Sequence, residues 1–102
     1  MGFGYISEIE LERIISIKRK TIVVKNVTSA DVEEYNNNCL VTLSNEGFNI
    51  NLLTKVRLRK TRGKKSVDFI YIVRKEVDIK EINLAALNNW AIKMGNVELY
   101  GF

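Results

Sequence analysis

Seven cations stand within eleven residues, at Lys55, Arg57, Arg59, Lys60, Arg62, Lys64 and Lys65, with no acid among them. At that density lysine and arginine can neutralise phosphates and release the counterions condensed around a polyanion. Phe69 and Tyr71 follow a few residues on, where their rings could stack on bases or enter a groove. Apolar and charged residues alternate along the segment, with Val56 and Leu58 on one side and Lys55, Arg57 and Arg59 on the other, which is the period of a strand. Arg62-Gly63 supplies a reversal, because glycine takes the positive φ that a tight turn needs. The whole of Lys55 to Lys75 therefore reads as an extended β-hairpin with a basic tip. A two-stranded ribbon of this kind fits the major groove of DNA.

Catalytic chemistry has little to work with. The chain contains no histidine, so a general base near neutral pH would have to be a strongly perturbed Asp, Glu, Lys or Tyr. Glu8, Glu10 and Glu12 read as one face of an exposed strand, where acids serve solvation and edge protection more often than cation binding. The single Cys39 falls on an apolar helix stripe and behaves there as a small hydrophobe. Residues 62–65 (RGKK) resemble a fragment of a phosphate-binding loop but lack its first glycine, and Ser66 enters a strand instead of a helix. No enzyme activity, cofactor or metal is expected.

The elements that must position the basic segment follow from periodicity. Ser7 and Glu10 fit a capping box, yet Ile9, Leu11, Ile15 and Ile17 share a period of two, and the strand reading of residues 7–20 is preferred. Thr21 to Val27 is rich in β-branched residues and should return as the second arm of a hairpin turning near Arg19-Lys20. Thr28 or Ser29 then caps a helix whose apolar stripe is Val32, Tyr35, Cys39, Leu40 and Leu43, closed by Gly47. Phe48 to Leu58 reads as a strand and the basic hairpin follows. Asp78 with Glu81 caps a second helix, Ile79 to Met94, and Val97 to Tyr100 closes the chain as a short strand.

Set side by side, these segments suggest an internal duplication. Residues 9–18 align with 50–59 at an offset of 41, and residues 37–45 align with 88–96 at an offset of 51. The ten-residue difference falls in the second hairpin and would lengthen it by about 16 Å. The expectation is an α+β fold of two ββα repeats plus a C-terminal strand, an antiparallel sheet with both helices on one face. The chain would be a single domain, 1–102, made of two similar motifs at about 7–47 and 48–102, with a groove at their junction suited to a ligand or partner.

The two halves differ in charge: residues 1–50 carry 5 basic and 7 acidic residues, residues 51–102 carry 11 and 5. That asymmetry suits an anionic partner or pairing between unlike surfaces. The lone cysteine and the absence of a membrane span or signal pattern suggest an intracellular protein that is neither secreted nor membrane-bound. The chain is rich in Ile and Asn, free of Pro and His, and 102 residues long. In this it resembles the small orphan proteins of filamentous viruses of hyperthermophilic archaea, although an accessory protein of a tailed phage has a similar style. The resemblance is one of composition and length and transfers no functional residue. It implies a viral protein acting through partners in the host cytoplasm.

Together these features point to a protein–protein interaction module. Its surface would be the groove and the basic hairpin, and its occupant a protein or peptide or a second copy of the chain. Nucleic-acid binding through Lys55–Lys65 is the alternative. Val67, Phe69, Tyr71 and Val73 alternate with Ile70 and Ile72, which makes the returning arm apolar on both faces. Such an arm must be covered by its own domain, a copy or a partner.

Overall fold

The computed structural model describes residues 3–54 and 56–102. Its centre is β4 (Val67–Ile72), the returning arm of the basic hairpin. A strand apolar on both faces belongs in the middle of a sheet covered on both sides, and that is where it lies. The sheet has five strands in the order β1-β3-β4-β2-β5, comprising Gly4–Tyr5, Arg57–Lys60, β4, Thr21–Val27 and Val97–Tyr100. Phe69 and Tyr71 point into the larger core with Ile22, Val24, Leu87 and Trp90. Ile70 and Ile72 point the other way, into a smaller core with Ile6, Leu11 and Val23. Each such side chain contributes about 1.5–3 kcal/mol by leaving water. The covering that the arm demands thus comes from its own domain.

The class is α+β, but the sheet is mixed instead of antiparallel: β1 runs parallel to β3, and the other pairings are antiparallel. Three α-helices pack on it: α1 (Glu8–Ser16), α2 (Val32–Glu46) and α3 (Leu84–Met94). α2 and α3 supply residues to the larger core and α1 to the smaller one, so the helices occupy both faces.

The expected strand over residues 7–20 is α1. Ser7 Oγ accepts the Glu10 N–H at 3.1 Å, so the capping signal prevails over the alternation. Leu11, Ile14 and Ile15, at i, i+3 and i+4, face the sheet. Ile9 and Ile17, which the strand reading placed inward, are 73% and 66% exposed. A nine-residue helix is too short to persist alone, and packing of Leu11, 1% exposed, holds it in place. The expected hairpin between residues 7–20 and 21–27 is therefore absent; β2 pairs with β4 and β5 instead.

The long strand expected over Phe48–Leu58 is also broken up. Residues Ile50–Leu52 form a 3-10 turn, Leu53 makes one bridge to Val73, and β3 begins only at Arg57. The first of the two proposed repeats accordingly runs helix–strand–helix, where the second has two strands before its helix. Asp78 and Glu81 do form a capping box, but on a separate 3-10 turn, Ile79–Glu81; α3 starts later, capped by Asn83, whose side chain accepts from the Ala86 N–H. Asp31, not Thr28 or Ser29, caps α2. Gly47 ends α2 at φ +112°, and a Cβ there would lie 3.2 Å from Asn83 Nδ2, which locks the end of one helix against the start of the other.

Candidate interaction surfaces

α2 and α3 lie side by side on the sheet and leave a groove between them. One hollow of about 270 Å³ is lined by Thr42, Asn45, Glu46, Trp90, Lys93 and Met94. A second, about 160 Å³, adjoins it through the shared Thr42 and Met94 and reaches Tyr35, Asn38 and Cys39. Trp90 is 2% exposed and its Nε1–H donates to Thr42 Oγ1 at 2.9 Å, which fixes the ring as floor of the groove. Lys93 pairs with Glu46 across the rim. The groove thus has an apolar floor and a polar border, the usual anatomy of a binding hollow.

The seven sequence-predicted cations divide into three groups. Lys55 lies outside the described residues. Arg57 and Arg59 face the first turn of α1, where acids are also favoured by the helix dipole. Arg57 Nη2 donates to Tyr5 O at 2.6 Å and lies 3.6 Å from Glu10, and Gly4 leaves room for the guanidinium, since a Cβ there would sit 3.2 Å from Arg57 Nε. Arg59 pairs with Asp68 at 2.8 Å and with Glu8 at 3.2 Å. Asp68 also accepts the Asn26 N–H at 2.9 Å, at an irregularity in the β2–β4 register where Asn26 has φ 58°. These two arginines join α1 to the sheet and are neutralised there. Lys60, Arg62, Lys64 and Lys65 remain exposed, with no ion pair among the described residues.

Arg62 and Gly63 do form the turn, with Gly63 at φ +82° and the Lys64 N–H donating to Thr61 O at 3.1 Å. The hairpin is no projecting arm, however. β3 and β4 pair over four residues, Arg57↔Ile70 to Lys60↔Val67, inside the sheet. Phe69 is 0% and Tyr71 1% exposed, so neither ring reaches a base or a partner. Their aromatic character serves the core, where Phe69 packs edge-on against Tyr35 and Tyr71.

Cys39 and Tyr71 inside the larger core are held towards their protonated forms. Burial pushes the Cys39 thiol up to about 11, with a Tyr71 hydrogen bond acting the other way, so its nucleophilic thiolate is scarce at neutral pH. Burial likewise raises the Tyr71 hydroxyl, which donates to Asn36 Oδ1 at 2.6 Å. Glu8 and Glu10 are engaged with arginines, and among the described residues no group of His, Cys, Asp or Glu is placed to hold a metal ion. Nor is any helix among them long and apolar enough to cross a membrane.

Sequence reasoning expected a groove at the junction of two ββα motifs and did not identify Asn45, Glu46 or Lys93, which form the rim of the hollow between α2 and α3. For Asn45 and Glu46 the signal was present in outline, since they lie on the polar flank of the α2 stripe Val32, Tyr35, Cys39, Leu40 and Leu43. No family model, curated protein or solved structure matches the chain.

Proposed function

We propose that this protein is a non-enzymatic interaction module that holds a protein or peptide partner in the α2–α3 groove. The observation that supports this reading most is the combination of a fixed Trp90 floor with an open polar rim. Hydrophobic anchors in such hollows supply most of the energy of a protein interface. The groove lies where two strand–helix pairs meet, β2–α2 and β4–α3, whose strands are antiparallel neighbours. Within this reading, the compositional likeness to archaeal viral proteins makes the partner a viral or host protein inside the infected cell.

Peptides selected from a display library on the wild-type protein provide the test. Asn45→Phe places a ring in the larger hollow without touching the core, and selected peptides should bind it at least tenfold more weakly. Equal binding to both proteins would place the partner surface elsewhere.

Nucleic-acid binding is the second reading, favoured by the exposed quartet Lys60, Arg62, Lys64 and Lys65. A flat anisotropy trace with labelled oligonucleotides at low salt would remove it.

A further inference from the structure

A second concentration of positive charge lies at the other end of β4, away from the basic turn. The register Thr21↔Ile72 brings the start of β2 beside the residues that follow β4, and the Val73 N–H donates to Lys20 O at 2.9 Å. Between these segments runs a cleft of about 200 Å³ lined by Lys18, Arg19, Lys20, Arg74 and Lys75 with Ile17 and Val73. Five of the seven lining residues are cations and none is an acid; Glu76, next in the chain, is not among them. None of the five has an ion pair among the described residues.

Three of the five side chains are held by neutral partners. Arg19 Nε and Nη2 both donate to Val73 O at 3.3 Å, Arg74 Nε donates to Asn51 O at 3.0 Å, and Lys20 Nζ donates to Val77 O at 3.4 Å. A carbonyl orients a cation without cancelling its charge. Arg74 keeps both Nη groups for another acceptor and Arg19 keeps one, and ordering them in advance lowers the entropy lost on binding. The negative end of the α1 dipole lies nearby and amounts to about half a charge, too little to offset five cations.

Lys18 adds an independent sign. α1 ends in a Schellman motif, with the Lys18 N–H donating to Ile15 O at 2.9 Å and the Arg19 N–H to Ile14 O at 3.1 Å. Lys18 occupies the left-handed position, φ 59°, where glycine is the usual residue. A charged side chain is kept at a backbone position that disfavours it, as happens at binding sites.

We propose that this cleft binds a phosphate of a nucleic-acid backbone. The inference rests on the nucleic-acid reading above and moves its principal contact from the turn to the opposite end of β4. The cleft is smaller than the roughly 300 Å³ at which whole-ligand pockets begin, so it takes one phosphate group of a longer polyanion. Its recessed shape suits a strand that can follow it, whereas a bilayer surface meets only the rim.

Anisotropy of fluorescein-labelled oligo-dT and of a labelled duplex over a salt series tests the assignment, with Arg74→Gln/Lys75→Gln compared against Lys64→Gln/Lys65→Gln. The cleft pair should weaken binding about tenfold or more near 100 mM salt and lower the salt slope by about 1–2, while the turn pair changes affinity less than threefold. Lys18→Gly, which relieves the left-handed strain, should fold with an unchanged or higher Tm and still bind more weakly. Should the cleft variants bind as wild type while the turn pair loses affinity, the cleft is overturned and the nucleic-acid reading stands. Should no variant and not even wild type bind either oligonucleotide, both fall. Binding to vesicles of anionic phospholipid without binding to oligonucleotide would also overturn it.

Discussion

Arginine has opposite fates at two places on this molecule. At the α1–β3 contact, Arg57 and Arg59 meet Glu10, Glu8 and Asp68, and their charge is cancelled in a part-buried seam. In the cleft at the end of β4, Arg19 and Arg74 meet the backbone carbonyls of Val73 and Asn51 and their charge is left standing. Proximity in sequence favours the first pair as a phosphate site, because they sit in a run of seven cations. The partner's chemistry reverses that order: a carboxylate satisfies both hydrogen bonding and charge, while a carbonyl satisfies hydrogen bonding alone.

If the seam is structural and the cleft is not, substitutions should separate them. The largest effect is expected from Asp68→Ala. It leaves the guanidinium of Arg59, 14% exposed, without its closest anion and removes the acceptor for Asn26 N–H. Denaturant unfolding should show a loss of about 3 kcal/mol or more.

Alkaline pH asks a different question of the same contrast, because arginine stays charged throughout. Cys39 is raised from 9.0 to about 11 in the folded state. A group with a raised folded pKa favours folding while both states are protonated, so its contribution is complete below pH 9 and fades as pH rises towards 11. Tyr71 is shifted in the same direction. Stability should therefore fall across pH 9–11, and Cys39→Ala should flatten part of that fall. An unchanged fall in the variant would trace it elsewhere.

Smaller effects sharpen the comparison. Glu8→Gln/Glu10→Gln leaves Arg57 without its carboxylate while Arg59 keeps Asp68, and ion pairs with such exposed carboxylates contribute only about 0–1 kcal/mol. Melting should barely change, yet the oligonucleotide affinity should rise as new uncancelled charge appears. Lys18→Gly should gain about 0.5–1 kcal/mol, the left-handed penalty less the extra backbone entropy of glycine. Arg74→Gln/Lys75→Gln should stay within about 0.5 kcal/mol of wild type, as exposed substitutions usually do.

Much of this was legible in the sequence where local rules and tertiary packing agree. β2, β5, the stripe of α2, the glycine stop at Gly47 and the turn at Arg62-Gly63 all follow from nearby residues. α1 was ambiguous because Ile9, Leu11, Ile15 and Ile17 satisfy a period of two while Leu11, Ile14 and Ile15 satisfy a helical one; the Ser7 cap and packing on Val23 and Ile70 together decide for the helix. Phe69 and Tyr71 carried their own warning. A run apolar on both faces belongs at the centre of a sheet, and the neighbouring charge made it look like a binding arm. The cleft was out of reach for a different reason. Its two segments lie more than fifty residues apart, and nothing short of the Thr21↔Ile72 register shows that they meet.

The most direct measurement is a chemical-shift titration of 15N-labelled protein with a short oligo-dT at low salt. The expected result is saturable movement of the amides of residues 17–20 and 73–75, with Arg57, Arg59 and Asp68 undisturbed. Movement centred on residues 57–59, or confined to 60–65, would contradict it.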